Sequence, residues 1–283
     1  MDRSVIQAVI MLVFGNNVAI LSDSLIKLVG SHDAPFQFAF LRLISALVVL
    51  MPLMVLLKKP LKPTHTRWHW VRAHVWLVSS LCMVISLTTL PLATANAVFY
   101  AAPLITVVLA VLLFSERASL ASFIASGLGL VGVLVIVNPT EMNGFALAAL
   151  VVALSLAINN LLIKKLPAQH GVVETLYYTT LLALPLAALG AWIEGATWSW
   201  SMALLAFGSS VFVLIYAATC VFAYRAAQSS VVSSAEYTGL IGAVLVGMVF
   251  FAEQPELRFY LGAMLIVVPL VTLTFLQREG RGQ

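Results

Sequence analysis

A few side chains that can do chemistry stand where the sequence is otherwise apolar. Glu236 has no basic residue three or four places away on either side. A carboxylate so placed is a candidate for reversible protonation, and so for proton coupling or for holding a substrate ammonium. The alternative is a carboxylate that reaches the end of its segment or pairs with Arg225. Asp23 and Lys27 are spaced i, i+4 with the acid first, a favourable helical pair. Asp23 and Arg42 lie at similar depth in neighbouring apolar runs, so an ion pair between them is expected. It would serve as structure or as a gate, or Arg42 would hold a substrate carboxylate in its planar fork. Asn16 and Asn17 sit mid-run, where each amide needs a partner helix or a wet cavity. Ser80, Asn96, Tyr100, Asn159, Tyr216 and Tyr237 complete the set of candidate substrate-binding groups.

Other chemistry is missing from the pattern. No H-E-x-x-H, G-x-S-x-G, Walker or zinc-ligand spacing occurs, so no catalytic residue, metal site or cofactor is expected. Gly127 to Gly132 fits G-x-G-x-x-G but lies inside an apolar run that follows no strand. The small residues Ala121, Ala125 and Gly129 recur every four places there, which suits close helix packing. Cys82 and Cys220 each sit in apolar sequence and read as buried free thiols.

The elements that carry these groups follow from composition. The 283 residues are 62% hydrophobic and 9% charged, against about 45–50% and about 25% in soluble domains. Too few charges remain to coat a soluble globule, which excludes a soluble enzyme, a nucleic-acid-binding module and a disordered chain. A helix needs about 20 mainly apolar residues to cross a bilayer. That ruler marks ten spans, near 5–28, 35–57, 71–89, 93–114, 119–137, 144–164, 172–193, 203–224, 230–252 and 257–277. The expected fold is therefore an all-α membrane protein of ten transmembrane helices, with the lipid bilayer as its solvent. With the N-terminus cytoplasmic, twelve of the fifteen Lys and Arg residues fall on the cytoplasmic side, Arg72 among them. Lys27 and Arg258 fall on the far side, and Arg42 is inside a span. The bias puts both termini in the cytoplasm and explains the net charge of +4 without nucleic acid. The six tryptophans, Trp76 included, read as interfacial anchors.

The ten spans divide into two repeats, 1–137 and 138–283. Adding 137 carries Leu25-Ile26-Lys27 onto Leu162-Ile163-Lys164, Tyr100 onto Tyr237, Phe114 onto Phe251 and Glu116 onto Glu253. Only five of 35 pairs between positions 86 and 120 are identical, so the constant register and the matching span ends carry the case. Five spans per unit is odd, so the second unit enters the membrane upside down. Inverted repeats are typical of secondary transporters, with the site near the midplane between the halves. Pro103 in the fourth span and Gly239 and Gly242 in the ninth are the expected hinges. Glu116 and Glu253 end equivalent spans and are expected to cap a tight turn, with a partner or the N-terminus of the helix that follows offsetting the carboxylate. Glu174 opens the seventh span, where an acid suits the helix dipole.

A Pro-containing fourth span, then Phe114-Ser115-Glu116-Arg117, then a small-residue-rich fifth span resembles the drug/metabolite transporter superfamily. The likeness is to its ten-span branch with two EamA-type repeats. Phe251-Ala252-Glu253-Gln254, with Gly262 after it, repeats the pattern, though Leu240 stands where the family usually has a second proline. Within the superfamily the chain looks most like bacterial exporters of amino acids, including the aromatic amino-acid exporter group. The resemblance implies a protein of the bacterial inner membrane that exports small metabolites by alternating access around a central cavity. Its partners would be a small-molecule substrate, the bilayer and protons. The alternatives are efflux of drugs or other metabolites by the same fold, a channel, or a membrane-embedded enzyme.

Overall fold

The computed structural model describes residues 3–30, 33–114, 120–137, 143–227 and 229–279. Those residues form helices and no strand. They are α1 (Arg3–Lys27), α2 (Pro35–Leu56), α3 (Thr66–Leu87), α4 (Leu92–Phe99), α5 (Ala101–Phe114), α6 (Leu120–Val137) and α7 (Gly144–Leu162). A 3-10 turn at Ile163–Lys165 precedes α8 (Val172–Glu194), α9 (Trp200–Ala226), α10 (Ser229–Glu236), α11 (Thr238–Phe251) and α12 (Leu257–Glu279). Seven segments are long and apolar enough to cross a membrane, with α4 and α5 counted as one. The three other expected spans carry the shorter apolar helices Phe123–Ile136, Thr238–Phe251 and Leu257–Pro269.

Two of the expected spans are broken rather than continuous. Pro103 has no N–H to donate to Phe99, four residues back, and α4 gives way to α5 at Tyr100. The equivalent break between α10 and α11 falls at Tyr237, with no proline near it. There the N–H of Leu240 turns back to the Tyr237 carbonyl at 3.1 Å, a tighter i to i+3 bond. Both breaks lie at repeat-equivalent tyrosines.

Three of the equivalent pairs, α2 with α8, the broken span α4–α5 with α10–α11 and α6 with α12, pack against each other and run antiparallel. The start of α4 meets the end of α11, where Leu92 and Ala93 donate their N–H groups to Glu253 at 2.7 and 3.3 Å. Likewise Phe36 and Gln37, opening α2, donate to Glu194 at the end of α8, at 3.1 and 2.7 Å. At the other end of that pair, the Tyr178 hydroxyl donates to the Pro60 carbonyl at 2.8 Å. The pairing of α1 with α9 has a counterpart under exchange of the halves in α3 with α7. A bond of 2.8 Å joins the Ser22 and Ser209 hydroxyls across α1 and α9. Glycine permits the closest crossings. A methyl on Gly132 would stand 2.6 Å from the Gly262 carbonyl, and one on Gly129 would meet Leu104 at 2.6 Å. The G-x-G-x-x-G run is thus a packing surface between α6 and its neighbours.

Glu253 corrects one expectation. It caps a helix, but that helix is α4 of the other half and not α12. Ala252 takes a left-handed φ of 51° and turns Glu253 back across the interface. There Glu253 also pairs with Lys27 at 3.1 Å, while Lys27 donates to the Leu90 carbonyl at 2.8 Å. Glu116 lies outside the described residues. Removing an N-terminal carboxylate cap costs about 0.5–2 kcal/mol. Glu253→Ala should therefore lower the thermal unfolding midpoint of the detergent-solubilised protein by several degrees; an unchanged midpoint would contradict the capping role.

Candidate functional site

The breaks bring Tyr100 and Tyr237 side by side, their ring centroids 6.2 Å apart. A small chamber opens beside them. Its wall includes Asn16 and Asp23 from α1, Trp76 from α3, Asn96 from α4, Tyr100, Tyr216 from α9 and Glu236. The chamber holds about 40 Å³, room for a few waters. Anything larger than a few waters fits it only if the helices around it move apart.

Two carboxylates face this space, each held by neutral partners. Glu236 accepts from the Tyr224 hydroxyl at 2.6 Å and the Asn160 amide at 3.2 Å. Arg225 is not its partner: that guanidinium donates to the His170 carbonyl and to Thr175 Oγ1. Asp23 lies in hydrogen-bonding reach of the Asn96 side chain. A direct Asp23–Arg42 pair is not formed. Arg42 Nη1 instead donates to Ser80 Oγ at 3.1 Å, although the two charges still act on each other. A buried carboxylate without an ion-pair partner is suited to take up a proton or a cationic group.

The other expected residues spread around this core. Ser80 and Arg42 line a second cavity next to the chamber. Asn159 is buried on α7, donating to Ser155, with no protein partner for its Oδ1. Tyr237 is buried and its hydroxyl likewise lacks a protein partner. Asn17 departs from the cavity reading: it is exposed, donates to Val13, and packs toward α11. A methyl on Gly242 would meet its Oδ1 at 2.7 Å. Gly239 sits tighter still, since a methyl there would stand 1.9 Å from the Tyr100 hydroxyl and 3.2 Å from Asn16 Cβ. The expected hinge glycines are therefore contact points between the broken helices and α1.

Several features went unread in the sequence. Trp76 is no interfacial anchor; it stands in the middle of α3 and lines both cavities. Trp192, Trp198 and Trp200 are exposed at helix ends, as anchors are. Arg72, counted on the cytoplasmic side at the start of the expected third span, is no surface residue. Helix α3 starts at Thr66, five residues before the expected span, and carries Arg72 into the interior, where it is 3% exposed. At the same end of the molecule, His69 Nε2 and His170 Nδ1 lie 2.9 Å apart, and Thr64 Oγ1 is 3.1 Å from His170 Nε2. Glu174 behaves as expected of a helix-opening acid, accepting from the Gly171 N–H at 2.8 Å and pairing with Lys59 at 3.1 Å.

Burial lowers the pKa of His170 from the ordinary 6.5; Glu174 opposes the shift, and His65, Arg225 and Lys59 reinforce it. The unfolded chain therefore binds this proton more readily than the folded one. Stability is retained above pH 6.5 and falls as the pH drops below it. A thermal midpoint that declines from pH 7.5 to 5.5, with a shallower decline in His170→Gln, is the expected result. An equal decline in both would contradict it.

The likeness to known proteins runs the length of the chain. The EamA-like transporter family matches residues 7–138 and again 144–275. An S-adenosylmethionine uptake transporter of Rickettsia prowazekii is 23% identical over 92% of this chain and 89% of its own length. A riboflavin transporter of Vibrio cholerae is 26% identical over 92% and 87%. The pseudopaline exporter CntI of Pseudomonas aeruginosa is 25% identical over 72% and 73%. A solved crystal structure at 19% identity superposes with a TM-score of 0.67, covering 94% of this chain and 98% of that one, and shares the fold. These relatives are transporters and not enzymes, and their names span uptake and export. With a matching unit in each half, this multi-pass membrane protein belongs to the EamA-like transporter family.

Proposed function

We propose that the protein is a secondary-active exporter of amino acids or similar small metabolites, working by alternating access across the bacterial inner membrane. Its ten spans form two inverted repeats, 1–137 and 138–283, with both termini cytoplasmic. One observation carries the reading: two equivalent broken helices cross antiparallel at Tyr100 and Tyr237, beside a small chamber with two carboxylates. Exchange of conformation between such halves opens the chamber to one side and then the other. Hinging sits at the two breaks, near Pro103 and near Gly239 and Gly242. Asn16, Asn96, Tyr100 and Tyr216 contact the substrate, and Glu236 exchanges the coupling proton. The names of relatives support a small metabolite as cargo, and the pseudopaline exporter among them supports the direction. The test is flux in proteoliposomes across a panel of amino acids, with and without a pH gradient. Saturable, gradient-driven flux of one or more amino acids is expected. No flux of any of them would overturn the amino-acid reading.

A further inference from the structure

Beside the acidic chamber lies a basic slot. It runs between α2, α3, α8 and α9 and measures about 40 Å³. Arg42, Arg72, Ser80, Thr179, Thr180 and Ser210 supply its polar wall. Trp76 and Val213 belong to both spaces, so they form the partition between slot and chamber.

The two arginines differ in how they are balanced. Arg42 feels the charge of Asp23 and donates to Ser80. Arg72 donates through Nη1 to Thr179 Oγ1 at 3.0 Å, and that hydroxyl in turn donates to the Thr175 carbonyl at 2.8 Å. Its Nε has no protein partner. Of the titratable groups that act on Arg72, Cys220 is a thiol and Arg225 another cation, and no carboxylate is among them. Among the described residues Arg72 makes no ion pair. A buried cation in a membrane protein is costly unless an anion meets it. A guanidinium also presents several donors in a fixed fork that matches a carboxylate.

We propose that this slot is an anion subsite that takes the carboxylate of a zwitterionic substrate, while Asp23 takes its ammonium. Arg72 is the principal ligand and Arg42 the secondary one. Trp76 swings aside for one molecule to span both spaces. This deepens the exporter reading and rests on it for the identity of the cargo, but not for the existence of the anion subsite. Arg72 escaped the sequence reading because a basic residue near a span end is ordinarily a topology signal.

The probes are benzoate and benzylamine, titrated into the purified full-length protein in detergent and followed by thermal shift and calorimetry. Benzoate is expected to stabilise the wild type. Arg72→Gln should weaken benzoate binding at least tenfold and leave benzylamine binding within twofold. Arg72→Lys keeps the charge without the fork and should fall between, which guards against a Gln variant that fails to fold. No benzoate binding by the wild type, or equal binding by a folded Arg72→Gln, would overturn the subsite. Benzoate binding that depends on Arg72, in a protein that moves no amino acid, would sustain the subsite while the exporter reading fails.

Discussion

Gly239→Ala should reduce transport at least tenfold. The methyl would stand 1.9 Å from the Tyr100 hydroxyl and 2.9 Å from its ring carbon Cζ. Asn16 Cβ, at 3.2 Å, blocks retreat toward α1. Overpacking of this kind costs about 1–3 kcal/mol when neighbours must shift. Here the neighbour is the residue at which α4 gives way to α5, so strain acts on the crossing of the two broken helices. The companion experiment separates space from chemistry. Adding Tyr100→Phe removes the clashing hydroxyl and should recover part of the thermal midpoint lost in Gly239→Ala without restoring flux, because Tyr100 also lines the chamber. Full flux in Gly239→Ala alone would show that the crossing tolerates the extra atom and that the close approach has no part in transport.

Glu236→Gln carries the second large effect. The side chain is 3% exposed and is held by Tyr224 and Asn160. Glutamine keeps the shape and can still accept from the Tyr224 hydroxyl, so the fold should survive. It cannot exchange a proton. Accumulation driven by a pH gradient should fall at least tenfold in the variant, while exchange of labelled for unlabelled substrate continues at a comparable rate. Tyr224→Phe gives a graded control, since losing one bond to a buried acceptor costs about 1–3 kcal/mol and should lower stability without abolishing coupling. Gradient dependence that survives in Glu236→Gln would remove this residue from the coupling mechanism and leave Asp23 as the buried carboxylate to test.

Depth along each helix was legible in the sequence, and rotation about each helix was not. Span ends follow from apolar length, and most described helices start and stop within a few residues of the expected positions. The repeat register pairs Tyr100 with Tyr237, at which both breaks fall, although the sequence reading puts hinges near Pro103, Gly239 and Gly242 and no break at the tyrosines. The direction in which a side chain points is another matter. A helix that is apolar all round does not mark the face it turns inward. Asn16 and Asn17 are adjacent and equally polar, yet the first lines the chamber and the second faces outward. Trp76 shares its residue type with the interfacial anchors and differs only in the helices packed against it. Glu253 has a capping residue type, but the helix it caps is 161 positions away in sequence. Such pairings depend on which helices meet, and the antiparallel crossing of equivalent helices decides that.

Alternating access requires the two ends of the molecule to open in opposition. Cysteine pairs can report this once the native thiols are removed as Cys82→Ala and Cys220→Ala. One pair, Thr89→Cys with Gln254→Cys, places exposed sites near the α3–α4 and α11–α12 connections, close to the Glu253 cap. The other, Lys62→Cys with Gln169→Cys, places exposed sites near the His69–His170 contact at the opposite end. Spin-label distances for both pairs should be measured in proteoliposomes, with transported substrate and the pH gradient as variables. The expected result is reciprocal: conditions that lengthen one distance shorten the other. Two distances that stay fixed while flux proceeds would contradict alternating access about this crossing.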